Sequence, residues 1–472
     1  MANTGTKRLL SRLTPLAVPH NMQVDCRRPA QAEGYDGDQP VRDEVEILPG
    51  GETGPGPGRS GWKDTLRNLR TFTSMKNPVF RLYFGSMVCQ MAAMNMQLIA
   101  RSLLVYRLTG SAAILGSIAV ANALPMLFLS LFGGIIADRV QKKYVVLIGH
   151  LVSAAVSLGI ALALTVGYLS AEHEGSWWIL IAASAFQGAV MGLIMPSREA
   201  IIREIVTAEQ LLNAISLNMM GMNALRLFAP ALTGFLIDAF DFKAVYYAMT
   251  GTYIVAGLFV AALPPTSKIA SRGSSALAGI KEGFRYLRRE TTVLFILAFV
   301  LVSIVLSQPY MLLMPIFCDD ILKVGATGMG ILLSVSGGGA VIGSLTLASL
   351  PNKKRGIMMI ASSLLMSLAL VGFSFSGSWS VSLVVIVFVG LGQTGQMTLA
   401  GTLIQYYVDP TYLGRVMSIL MMQFGLISFS TFAAGLLAEA VGVQWSVGGF
   451  AIGLGILAVA VLLLIPRLRK LD

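Results

Sequence analysis

Val293–Phe317 reads VLFILAFVLVSIVLSQPYMLLMPIF, twenty-five consecutive positions without a charge. A helix over that run rises ~37 Å at 1.5 Å per residue, enough to cross the hydrocarbon core of a bilayer. A barrel strand would be shorter and would alternate apolar with polar residues, so the crossing unit is a helix. Working outward, comparable runs precede it at Phe80–Tyr106, Ser111–Ala137, Val145–Tyr168, Ser176–Pro196, Leu211–Ala239 and Ala244–Leu263. Others follow at Met329–Leu350, Met358–Phe375, Ser380–Tyr406, Val416–Ala438 and Val447–Ile465. The expectation is an all-α integral membrane protein of about twelve transmembrane helices. Composition agrees, because 55% hydrophobic against 12% charged residues is more apolar surface than a soluble chain could hide.

Basic residues in short loops set orientation, and they fall on one side. Arg139, Lys142 and Lys143 follow the second span, Arg198 and Arg203 the fourth, and Lys353, Lys354 and Arg355 the eighth, while Arg415 precedes the eleventh. Opposite loops hold little beyond Arg107, Lys243 and Lys323. Both termini are therefore expected in the cytoplasm, with a long central loop carrying Lys281, Arg285, Arg288 and Arg289. The expected location is a cell membrane, the bacterial inner or plasma membrane. Trp177, Trp178, Trp379 and Trp445 gather at the other face, where an amphipathic ring suits the headgroups. The net charge of +11 is thus topogenic, and no nucleic-acid partner is expected.

Residues 1–74 differ sharply: Gly50–Gly61, GGETGPGPGRSG, cannot bury enough apolar surface to fold. They read as a disordered cytoplasmic tail, with a short amphipathic helix on the membrane surface at Trp62–Phe72. Leu9–Val18 is interrupted by Arg12 and Pro15 and makes a poor signal peptide. Cys26, Cys89 and Cys318 are too dispersed to bridge.

The chain is internally duplicated. Val206-Thr-Ala-Glu-Gln-Leu-Leu-Asn-Ala-Ile-Ser-Leu-Asn-Met-Met220 parallels Val408-Asp-Pro-Thr-Tyr-Leu-Gly-Arg-Val-Met-Ser-Ile-Leu-Met-Met422, and Gly234-Phe-Leu-Ile-Asp-Ala parallels Gly435-Leu-Leu-Ala-Glu-Ala. Each copy leads through the fifth span of its half. The expected organisation is a six-helix bundle over 75–263, a cytoplasmic linker over 264–290, a second bundle over 291–466 and a short cytoplasmic tail over 467–472. Pro264–Gly279 in that linker is rich in Pro, Ser and Gly. Two parallel repeats of this kind are the plan of a transporter with its site between the halves.

Gly134-Ile-Ile-Ala-Asp-Arg-Val-Gln-Lys-Lys143 resembles the G-x-L-a-D-R-x-G-R-K signature of the major facilitator superfamily, with Ile136 and Gln141 departing from it. Leu104-Val-Tyr-Arg-Leu-Thr-Gly-Ser111, Pro196-Ser-Arg-Glu-Ala-Ile-Ile-Arg203 and Gly414-Arg-Val-Met-Ser418 are similar to its enterobactin-exporter and macrolide-efflux branch. The resemblance covers everything after about Ser74 and implies secondary active export by alternating access. In the family the junction loop latches against the start of the eleventh span, here around Tyr412–Arg415. Arg226-Leu-Phe-Ala-Pro-Ala-Leu-Thr-Gly234 resembles the exporter motif G-P-x-x-G-G, with Ala229 and Thr233 replacing glycines. Gln187-Gly188 match the pattern R-x-x-Q-G, whose arginine position is occupied by Ser184. The implied gating residues are Gly134, Asp138, Arg139, Lys142, Lys143, Pro230, Gly414 and Arg415. Physically, the Asp138 carboxylate suits a helix N-terminus and the bases suit anionic lipid.

Candidate cavity residues are the polar groups inside the spans. Gln90, Met94, Gln97 and Arg101 recur along one face of the first helix and should line water. Asn223 and Arg226 pair on the fifth, and Gln187, Gln308, Gln393, Gln396 and Gln423 add amides at mid-span. No Asp or Glu lies deep in any span, since Asp138, Asp238 and Glu439 sit at ends. Arginine, amides and methionine together suit a bulky amphiphile that is neutral or anionic. The expected substrate is a drug, siderophore or secondary metabolite, exported with the proton as coupling ion and with membrane lipid as the surroundings. Lysophospholipid flipping or solute uptake would use the same plan, and a membrane sensor could keep the fold without transport. An enzyme is not expected: His20, His150 and His173 are scattered, no nucleophile has a placed base, and no metal-ligand spacing or nucleotide-binding loop implies a metal or cofactor.

Overall fold

The computed structural model describes residues 74–173, 175–265, 276–351 and 353–471, with backbone alone over 131–139, at Ala208 and over 276–281. The tail readings over 1–73, including Gly50–Gly61 and Trp62–Phe72, lie outside the described residues, as do 266–275. Eleven stretches among the described residues are long and apolar enough to cross a membrane, the double-length run over Glu209–Ala261 included. The described elements are helical. In order they are α1 Pro78–Thr109, α2 Ala112–Arg139, α3 Lys142–Thr165, α4 Trp178–Ile205, α5 Ala208–Ala261, α6 Ala276–Arg289, α7 Thr291–Ser307 and α8 Pro309–Ile316. Then come a π turn at Phe317–Ile321, α9 Gly325–Ser349, α10 Arg355–Ser374, α11 Trp379–Tyr407, α12 Leu413–Met421, α13 Gln423–Val441, α14 Val443–Leu464 and α15 Pro466–Arg469.

Local chemistry sets the ends. Asn77 caps α1 by accepting from the Val79 N–H at 2.9 Å, Pro78 fills the first turn, and Gly110 closes it at φ 62°. α5 is too long to cross once, so it turns at Asp241, whose φ of 72° separates the fifth span from the sixth without a loop. The seventh span is α7, α8 and the π turn in series, with Gln308 at the junction where Pro309 cannot donate a backbone bond. The eleventh is α12 and α13, broken at Met422.

Two expectations are corrected. α4 does not stop at Pro196 but continues to Ile205, because neighbouring helices inside the membrane re-satisfy the backbone a proline frees. Arg198 is consequently not a loop base; it is buried within the first half at 4% exposure. The central linker is not all loop either. α6 docks Leu287 and Tyr286 against α12, and its many charges had hidden this short apolar stripe.

Three apolar cores position the site. One is shared by both halves at the tryptophan end, joining residues of α1, α2 and α5 to those of α8, α9 and α13. Toward the basic end the core divides, Phe80, Val146, Ile194 and Leu217 belonging to the first half and Val300, Leu403 and Val416 to the second. The halves therefore diverge from the tryptophan face toward the basic face.

Candidate functional site

Where the halves part, α5, α9 and α11 enclose a cavity of about 250 Å³ lined by Asn223, Arg226, Gln393, Thr394, Met397 and Thr398. A smaller recess above it is shared by Asn95 of α1, Arg226, Tyr310, Ser336 and Gln393. Arg226 thus stands at the level where the cleft ends and the shared core begins. No carboxylate is among the residues lining either space. A charge inside a span faces a cavity or protein interior because lipid exposure is costly, and here it faces the cavity.

The other predicted cavity residues separate into groups. α1 turns Asn95, Leu98 and Ile99 toward the cleft, about 100° around the helix from the face expected at Met94. Gln90 and Arg101 instead point into the first half: Gln90 accepts from Arg198 Nη1 at 3.3 Å, and Arg101 Nη1 donates to Ser184 at 3.1 Å. Gln97 is buried and Met94 half-buried. Gln187 also lies inside the first half, donating to Ser153 at 3.2 Å and Tyr253 at 3.3 Å. Gln396 and Gln423 are buried in the second half, each with an amide atom lacking a partner among the described residues. Gln308 is half-buried at the α7–α8 junction.

At the tryptophan face the halves are fastened by side chains that sequence reasoning did not assign. Arg107 grips Asp319 through two bonds of 2.9 and 3.2 Å, and the Tyr106 hydroxyl donates to Asp320. Asp238 accepts from the Thr327 N–H at 2.7 Å in the first turn of α9. Glu439 accepts from the Ala113 N–H at 3.2 Å and from the Ser111 hydroxyl in the first turn of α2. A carboxylate at a helix N-terminus meets unsatisfied N–H groups and the positive dipole end, worth about 0.3–1 kcal/mol when exposed. Asp238 and Glu439 hold matching places in the duplicated segment, so each half caps a helix of the other. The repeat was visible in sequence, but the partners were not.

Between these latches glycines let helices touch. A Cβ on Gly330 would lie 2.3 Å from the Pro230 carbonyl oxygen, one on Gly234 2.2 Å from that of Ala326, and one on Gly435 2.4 Å from that of Ala112. Ser334 accepts from the Ala231 N–H at 3.1 Å across the same seam. Pro230 therefore sits in the contact between α5 and α9.

At the basic face Lys142 pairs with Glu204 at 2.5 Å, and Lys143 donates to the Leu263 carbonyl. Arg415 pairs with Glu282 of α6 at 3.0 Å and lies over the Tyr412 ring, which stacks on Tyr286 at 4.4 Å. The start of α12, which the resemblance pairs with the junction loop, is thus held by α6. Gly134, Asp138 and Arg139 are placed on α2 by backbone alone; their side chains lie outside the described residues. Gly414 has nothing within 4 Å of an added Cβ.

The chain spans 40% of its own length and 44% of its relative's in a match, 25% identical over 193 residues, to an uncharacterised MFS-type transporter of Bacillus subtilis. Longer matches join it to the staphyloferrin A transporter of Staphylococcus aureus, 24% identical over 71% of this chain and 83% of that protein. Macrolide efflux protein A of Streptococcus pyogenes is 23% identical over 69% and 82%. In fold it resembles the nucleoside transporter NupG at a TM-score of 0.64, with 13% identity over 81% of this chain and 99% of that one. The model of the transmembrane secretion effector family matches residues 69–472, and with relatives that are transporters and not enzymes the chain belongs to that family within the major facilitator superfamily.

Proposed function

We propose that this transporter exports an amphipathic small molecule by alternating access, driven by the proton gradient, with its basic face, both termini and α6 in the cytoplasm. Arg226 carries the reading. It is a guanidinium at the apex of a cleft between the halves, among amides, hydroxyls and methionine and without a lining carboxylate. An anionic or neutral amphiphile entering there from the basic face would meet a charge-assisted donor and an adaptable apolar wall. Relatives named for staphyloferrin A and for macrolides support a bulky cargo. The test is an accumulation assay in cells and in proteoliposomes: export requires a gradient-dependent fall in internal dye. Movement of labelled lysophospholipid instead would identify a flippase, and neither movement would identify a sensor.

The junction loop supplies a further expectation. Asp138 is the acid in a basic loop, and a helix-end interaction of about 0.3–2 kcal/mol is enough to favour one gate state over another. Asp138→Asn should leave expression and insertion intact and slow turnover sharply in the same dye assay. Unchanged turnover would leave the loop only a topological role.

A further inference from the structure

The first half encloses a file of buried polar side chains that the cleft does not use. From the tryptophan end it begins with Arg101, bonded to Ser184 of α4. One turn along α4, Gln187 reaches Ser153 of α3 and Tyr253 on the second arm of α5. One turn along α3 from Ser153 is His150, fully buried, with Nε2 3.3 Å from the Ser86 hydroxyl of α1 and its ring 6.4 Å from that of Tyr253. The file ends with Arg198 of α4 seated on Gln90 of α1. Three of these buried groups keep an atom with no partner among the described residues: Gln187 Oε1, His150 Nδ1 and Arg198 Nε. Buried polar atoms are normally paired, and polar groups inside a membrane are costly enough to mark function.

Within this file His150 is the side chain whose ordinary chemistry binds and releases a proton near neutral pH. It lies eight residues into α3, ~12 Å from the basic end of the helix. From α1 it is faced by Ser86, with Tyr83 one turn below. From α4 come Gln187 and Arg198, and from α5 Tyr253. Of these groups Arg198 is the charged one; its Nη2 lies 3.7 Å from the exposed carboxylate of Glu199, and the guanidinium is near enough to act on the imidazole electrostatically. No Asp or Glu lies deep in a span to take the role instead.

We infer that His150 is the site where the transporter takes up and gives up its coupling proton, with Ser86 the hydroxyl through which the ring is held and addressed. The inference rests on the proton-driven reading above. With Nε2–H donating to Ser86, the unpartnered Nδ1 presents a lone pair; a proton adds there, no other bond breaks, and its release restores the neutral ring. Uptake sets an imidazolium beside the Arg198 guanidinium in a low-dielectric interior, where like charges repel strongly. Relief comes from moving Arg198 off its seat on Gln90, which shifts α4 against α1 and ties the proton to the opening and closing of the first half.

The sequence contains three histidines, so ring-labelled NMR of the intact protein resolves His150 by the signal missing from His150→Gln. That signal should move reversibly with pH, and its titration should change in Arg198→Gln; a resonance constant between about pH 3 and pH 8 would overturn the assignment. In proteoliposomes loaded with carboxyfluorescein, His150→Gln should lose gradient-driven transport about tenfold or more while dye counterflow at equal pH stays within about twofold of wild type. Retained gradient-driven transport would overturn the role of His150, and so would loss of counterflow as well, since the residue would then be structural. Wild type that moves the dye without regard to the gradient would overturn the proton-driven reading and this site with it, whereas wild type that moves no carboxyfluorescein would overturn only the cargo reading, the NMR titration still deciding whether His150 binds a proton.

Discussion

Gly330→Leu should slow net transport about fivefold or more while the protein still inserts and binds dye. The α5–α9 seam leaves no room for a side chain: the first added carbon already falls 2.3 Å from the Pro230 carbonyl oxygen, and backbone on both sides cannot yield. Overpacking of this kind costs about 1–3 kcal/mol, and at ~1.4 kcal/mol per factor of ten that shifts the balance of the two gate states about 5- to 150-fold toward separation at the tryptophan face. Spin labels at the ends of α1 and of the π turn should report a longer distance in the variant. Gly251→Leu is the control, because an added Cβ there meets nothing within 4 Å and should change neither distance nor rate. A Gly330→Leu protein with the wild-type distance and rate would show that the seam does not open during transport.

Arg226→Gln should change which dyes are carried more than how many. A cation entering the cleft meets a guanidinium in a low-dielectric setting, whereas an anion forms a charge-assisted bond with it, worth roughly 1.5–3 kcal/mol against about 1 for a neutral partner. Wild type should therefore export carboxyfluorescein and the neutral dye Nile red in preference to ethidium. In Arg226→Gln the anion should lose about tenfold relative to the neutral dye, since glutamine keeps hydrogen bonding without charge. Equal membrane levels of both proteins make the comparison valid. Strong wild-type export of ethidium, or an equal loss for all three dyes, would return Arg226 to a packing role between α5 and α9.

The spans were legible because lipid permits little else: each backbone group must be satisfied within its own helix, and a crossing takes some twenty apolar residues. What lies between spans was less so. Asp241-Phe-Lys looked like an ordinary loop, and only the backbone reveals that one residue turns α5 back on itself. In the cleft, Arg226 and Asn223 stood out because a charge in an apolar run demands a cavity. On α1 the same logic picked out a face two of whose members turn toward α4. Gln90 and Arg101 are polar in order to bond α4, and a periodic polar stripe cannot say whether its partner is water or another helix. Asn95, which does face the recess, is a lone amide with no such stripe to announce it. The latches at the tryptophan face pair residues some 90 to 330 positions apart in the chain, so only the folded arrangement shows which acid meets which helix.

The reciprocal capping by Asp238 and Glu439 gives the closed face the logic of a two-fold homodimer, in which one patch serves both partners. Each half presents an acid at the end of one helix and a bare helix start beside it, and the two surfaces complete one another. α6 goes with the second half, tied to α12 by Glu282 and Arg415. Separately synthesised pieces divided within 266–275 are expected to find each other in the membrane, and a single ancestral half meeting its own copy would have placed the same carboxylate on the same helix start twice.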